Sequence, residues 1–142
     1  MKGRYLFKAK RIDNGEWVAG HYVKGLDMYA KEVHLIFEPT TIYYSSGETD
    51  GWSEIDPSTI CQCTGLKDKN GKLIWENDIV RDKEGNCYKV FWQNNYYQFS
   101  WICVKSDIFQ IGTKWDLYIW RSYEIAVIGN TFDNPELLES QE

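Results

Sequence analysis

Apolar and polar side chains alternate over short stretches of this chain and almost nowhere recur at the three- and four-residue spacing of a helix. In residues 4 to 11, Tyr5, Phe7 and Ala9 alternate with Arg4, Lys8 and Lys10, interrupted only by Leu6. That pattern predicts a strand with one buried and one wet face. Asp13-Asn14-Gly15 supplies residues that accept positive φ, and Trp17 to Val23 follows as a second strand, so the first 23 residues read as a hairpin. Residues 33 to 37 and 40 to 44 are strand candidates on either side of Pro39, whereas residues 45 to 58 are polar and aperiodic and read as a linker.

The strand pattern then restarts. Residues 59 to 64 lead to a hairpin turn at Asp68-Lys69-Asn70-Gly71, followed by residues 72 to 75, residues 78 to 80 and a second turn at Lys83-Glu84-Gly85-Asn86. Residues 87 to 92 and 96 to 104 flank Gln93-Asn94-Asn95 as a third hairpin, with Tyr88, Val90 and Trp92 on one face and Tyr97, Phe99, Trp101 and Cys103 on one face. Residues 105 to 122 fit neither template, with 115 to 119 leaning toward strand. Tyr123 to Gly129 is a nearly continuous apolar run, which predicts a central strand covered on both faces. Asn134, Pro135 and Glu136 suit the start of a helical turn over residues 135 to 139.

Turn signals every 8 to 12 residues without a long helical period predict an all-β fold of short antiparallel strands, a small barrel or sandwich, and disfavour a βαβ nucleotide fold. The chain divides into an N-terminal hairpin region, residues 1–58, and a C-terminal barrel-like region, residues 59–142, a division equally compatible with one continuous domain.

Composition sharpens this picture modestly. With 142 residues, 43% hydrophobic, 16% aromatic and a net charge of -5, the chain can build a core and is neither disordered nor fibrous. The longest purely apolar run, Ile125 to Ile128, is far short of the roughly 18 residues of a membrane span, and the basic start lacks the apolar block of a secretory signal. A cytoplasmic protein with no membrane partner is expected, its four cysteines reduced. Charge is asymmetric: residues 1 to 31 hold seven Lys+Arg against three acids, and residues 133 to 142 hold four acids and no base.

Candidate chemistry is sparse. Cys61 and Cys63 share a strand face at a spacing that can give a metal two thiolates, but Cys87 and Cys103 lie far along the chain and His21 and His34 are isolated, so no metal or other cofactor is expected. A Cys–His pair has no local signature. Glu76 and Asp78 share a face if extended, yet Asn77 and Asp78 suit a turn better than an acid/base pair. Phosphate loops, HExxH and GxSxG patterns are absent. Seven Trp and ten Tyr exceed what a small core can bury, and Trp92, Tyr96, Tyr97 and Trp101 are the candidates for an exposed binding strip. Only Lys89 adds positive charge within residues 87 to 104, which favours protein over nucleic acid as the partner there.

The segment TGLKDKNGKLIWENDIV at residues 64 to 80, the closing EIAVIGNTFDNPELL at residues 124 to 138, and the opening FKAKR with GEWVAG resemble the YopX family of bacteriophage and prophage proteins. Residues 24 to 56 and 105 to 122 fall outside the resemblance. The family pattern has Gly where this chain has Asn77, another residue that tolerates positive φ. The resemblance implies an all-β fold with an SH3-like barrel in its C-terminal part and a phage- or prophage-encoded chain in a bacterial host. It implies no activity, so no catalytic position is carried over.

These readings lead to a non-enzymatic module that binds a host or phage protein or itself. The alternative is a nucleic-acid-binding module using the basic first strand, Lys2, Arg4, Lys8 and Lys10. An enzyme built on Glu76 and Asp78 or on a cysteine ranks third.

Overall fold

Period two governs the first hairpin. Ala9 is fully buried and Phe7 packs beside it, while Lys8 and Lys10 lie on the opposite face, where both ammonium groups sit over the Trp17 ring at 4.6 and 5.4 Å. The computed structural model describes residues 5–38, 51–116 and 122–138. Its strands are β1 (Phe7–Lys10), β2 (Trp17–Leu26), β3 (Glu32–Phe37), β4 (Trp52–Glu54), β5 (Cys61–Lys67), β6 (Leu73–Trp75), β7 (Asp78–Arg81), β8 (Cys87–Gln93), β9 (Gln98–Lys105), β10 (Lys114–Asp116) and β11 (Ala126–Asn130). They form two antiparallel sheets, and the described residues contain no helix beyond short 3-10 turns. The fold is all-β.

The chain divides into two compact units, one running Arg4–Gln62 and the other built from Cys63 onward. In the first, the order is β4-β3-β2-β1, with the start of β5 paired to β1 through Phe7↔Gln62 and Lys8↔Cys61. Its core is Ala9, Ile36 and Ile55, with Phe7, Val18, Tyr22 and Ile60 packed against them. The expected turn closes as read: Gly15 takes φ +73°, and the Asn14 Oδ1 accepts from the Glu16 N–H at 2.9 Å. Residues 51 to 58 are not linker, contrary to expectation. The Ser53 and Ile55 side chains are buried, β4 pairs with β3, and Asp56 caps a 3-10 turn at Pro57–Thr59. Such a polar three-residue edge strand has no legible period. Residues 40 to 44 and 45 to 50 lie outside the described residues.

In the second unit, β5 pairs with β6, and five strands follow in the order β10-β9-β8-β7-β11. Tyr88, Val90, Trp101 and Cys103 face one core with Ile74, Val80 and Ile125. Its hairpin turns are held by buried carboxylates. The Asp68 Oδ1 accepts from the Asn70 and Lys72 N–H groups, and its Oδ2 accepts from the Val127 N–H at 2.9 Å. Burial alone would raise this carboxyl, but the Val127, Lys72 and Asn70 donors outweigh it and hold Asp68 below the usual range. Asp82 accepts from Glu84 N–H, Asn86 N–H, the Asn86 side-chain amide and the Tyr88 hydroxyl. Burial, reinforced by that carboxylate, pushes the Tyr88 phenol well above its ordinary value.

Two expectations need correction here. β11 is an edge strand, pairing only with β7 among the described strands. Its apolar run reports two covered faces rather than two neighbours: Val127 packs on the core, and Ile128 shares a cleft with Leu137 of the 3-10 turn Pro135–Leu138. Asn134 does not cap that turn with its side chain. Its Oδ1 instead accepts from the Asn130 N–H at 3.2 Å, close against Gly129, where a Cβ would come within 2.4 Å of the same oxygen. Of the strand reading at 115 to 119, residues 117 to 119 lie outside the described part.

Candidate functional site

The β8–β9 hairpin separates the four aromatic candidates. Cross-strand pairs Tyr88↔Cys103, Val90↔Trp101 and Trp92↔Phe99 stand on one face, so alternation puts Trp92 and Trp101 on the same side of the sheet, yet only Trp101 reaches the core. Trp101 is 1% exposed and is not part of a surface strip. Position along the strand decides between them, and period two carries no information about it. Trp92 is 38% exposed and meets Phe99 edge-on at 5.0 Å between centroids. Tyr96 and Tyr97 belong to the turn rather than to β9, at 68% and 81% exposure. The positive φ of this turn falls on Tyr97, at +51°, not on Asn94 or Asn95. A bulky residue held there is strained.

Beside these rings runs a shallow cleft lined by Gln93, Tyr96, Gln98, Lys114, Trp115 and Asp116. Its polar groups brace one another. The buried Ser100 hydroxyl donates to Gln93 Oε1 at 2.9 Å, the Gln98 amide donates to Asp116 Oδ1, and the Lys114 ammonium lies 5.7 Å from the Phe91 centroid. Trp115 is wedged edge-on against Tyr88 and Phe109. The hairpin end thus sets the exposed Tyr96 and Tyr97 rings beside a cleft whose polar side chains are hydrogen-bonded to one another.

Of the residues considered for catalysis, Asp78, Cys61 and His34 are held in local hydrogen bonds. Asp78 is buried and its Oδ2 accepts from the Trp75 N–H at 2.8 Å, closing the turn in which Asn77 takes φ +70°. That turn is tied on both sides, since Asn77 N–H donates to Val90 and its carbonyl accepts from Thr131 N–H. All four cysteines are buried thiols. Cys61 Sγ donates to the Thr59 carbonyl at 3.3 Å. Both ring nitrogens of His34 are engaged, Nδ1 with the Tyr22 hydroxyl at 2.5 Å and Nε2 with Glu32 at 3.1 Å. Among the described residues no three His, Cys, Asp or Glu side chains gather as a metal site.

Sequence reasoning missed one surface. β2 and β3 pair to Leu26↔Glu32, past Gly20, where β1 ends its pairing, and past Leu35, where β4 does. The resulting ribbon ends in a turn held by Asp27, whose Oδ1 accepts from the Tyr29 and Lys31 N–H groups, with Ala30 at φ +61°. Leu26, Met28 and Tyr29 are largely exposed at this tip. Only a register could have revealed a strand pair that outruns its neighbours.

A protein-family model described as YopX protein matches residues 6–139, nearly the whole chain. No curated protein matches it. No helix among the described residues is long and apolar enough to cross a membrane.

Proposed function

The chain belongs to the YopX family, and on that footing we propose that it is a phage- or prophage-encoded protein-interaction module of the bacterial cytoplasm rather than an enzyme. The observation that carries this reading is the end of the β8–β9 hairpin, where Trp92, Tyr96 and Tyr97 stand outward on a strained but well-braced turn. Rigid aromatic rings bury large area with little loss of side-chain freedom, which makes them the usual anchors of protein interfaces. The same reading takes the C-terminal part as an SH3-like barrel, supported by its five antiparallel strands. Cross-linking in a bacterial host, comparing the natural chain with a Trp92→Ala, Tyr96→Ser, Tyr97→Ser variant, tests it. A host or phage protein, or a second copy, joined to the first and lost in the second is the expected result; an unchanged pattern overturns it.

A second reading, nucleic-acid binding, draws on β1, because Lys8 and Lys10 share a wet face with Trp17. Net charge opposes it, and both ammonium groups already rest on the ring. With four phosphates neutralised, counting Lys2 and Arg4, the log-log salt slope would be roughly -3 to -4, so binding should vanish near ~0.15 M salt. Submicromolar DNA binding at that salt, abolished by Arg4→Glu, Lys8→Glu and Lys10→Glu together, would reverse the ranking.

A further inference from the structure

The outer face of the five-stranded sheet carries an arrangement that none of the structural roles above uses. Registers Arg81↔Cys87 and Cys87↔Lys105 place Arg81, Cys87 and Lys105 in one row across β7, β8 and β9. Adjacent strands lie about 4.8 Å apart, so two cations flank one thiol across roughly 10 Å. The row forms one side of a cleft of about 320 Å³ completed by Gly85, Ile128, Glu136 and Leu137. Neither Arg81 nor Lys105 takes part in an ion pair among the described residues, unlike Arg11 with Asp13 or Lys24 with Glu32.

Stability does not account for this row. Like charges close together on a sheet repel, and in a chain with 21 acids against 16 bases a neutralising partner would be easy to supply. We propose that this cleft binds a small organic anion, its oxyanion held between Arg81 and Lys105 and its apolar body laid against Cys87, Ile128 and Leu137. Burial pushes the Cys87 thiol up, against the pull of Lys105 and Arg81, so the floor between the cations is uncharged. Glu136, the acid on the rim, is engaged by the Asn134 amide at 3.4 Å. Glu84 and Asp107 line the adjoining depression that shares Gly85 and Lys105, so a long polyanion would run into like charge where a small ligand would not. Carboxylate and phosphate are both oxyanions an Arg fork recognises, and the volume sits at the small end of ligand sites.

The test is a titration followed by proton–nitrogen correlation spectra of the full chain, with octanoate, hexyl phosphate, inorganic phosphate and neutral octanol as probes. Saturable shifts at Gly85, Cys87, Ile128 and Leu137 are expected with octanoate, hexyl phosphate or both, and the stronger of the two identifies the oxyanion. Octanol and inorganic phosphate, each lacking one half of the recognition, should bind about tenfold more weakly, as should the better probe to Arg81→Gln or Lys105→Gln. Both substitutions are at exposed positions, and unchanged spectra elsewhere confirm the fold. Octanol binding as well as octanoate, undiminished binding by the Arg81→Gln, Lys105→Gln double variant, or no saturable shift with either amphiphilic anion overturns the proposal. Inorganic phosphate binding as tightly as hexyl phosphate removes the apolar half of it.

Discussion

At the scale of single residues, several polar positions of the family-like segments are fasteners. Asp68 takes three backbone N–H groups, and truncating it leaves those donors without their acceptor, so Asp68→Ala should cost about 3 kcal/mol in urea unfolding at neutral pH. Because its folded pKa is depressed, the stabilisation is complete above the carboxyl's ordinary value and fades as pH falls through the folded one. The gap between the natural chain and Asp68→Asn should therefore narrow in acid; a gap that stays constant down to strongly acidic pH would contradict this. Asn77 at φ +70° tells a simpler story. Asn77→Gly should leave stability within about 1 kcal/mol of the natural chain, while Asn77→Val, β-branched at positive φ, should lose about 2 kcal/mol or more. Such turns were legible in the sequence because Asp, Asn and Gly announce their conformation locally. The partners they reach, such as Val127 for Asp68, were not.

At the scale of elements, strands were more legible than their surroundings. The first hairpin, the β8–β9 pair and the turn at 135 to 138 all follow from local pattern. The edge position of β11 does not, since an apolar run records covered faces whatever covers them. The split between Trp92 and Trp101 follows the same logic: Trp101→Ala should cost about 3–5 kcal/mol, whereas Trp92→Ala should cost much less, both read by chemical denaturation. Gly20 marks a close approach that no period announces. A Cβ there would lie 2.1 Å from the Phe37 carbonyl oxygen, backbone that cannot step aside, so Gly20→Ala should disrupt β2–β3 pairing. Hydrogen exchange in residues 17 to 37 would show it, and protection there equal to that of the natural chain would refute it. Likewise, the Arg81–Cys87–Lys105 row needs two strand registers across three strands at once, which is why residues far apart in sequence gave no hint of it.

At the scale of the molecule, two cores share no side chain, Ala9, Ile36 and Ile55 in one and the cluster around Trp101 in the other. All four cysteines are buried, and burial raises Cys87 and Cys103, so a thiol reagent at neutral pH should find none quickly in the native chain and four after unfolding. Rapid native labelling of Cys61, Cys63 or Cys103 would show an opening absent from this arrangement, whereas Cys87, at the floor of a cleft, is slowed chiefly by its raised pKa. The bond from Val127 to Asp68 spans 59 residues, and the same strand pairs Val127 with Val80. The sheet that carries the aromatic hairpin is thus completed by a strand that follows all its other described strands in the chain, whereas the first core needs nothing beyond Ile60. On the ribosome the N-terminal unit can fold while the C-terminal sheet still waits for its final strand.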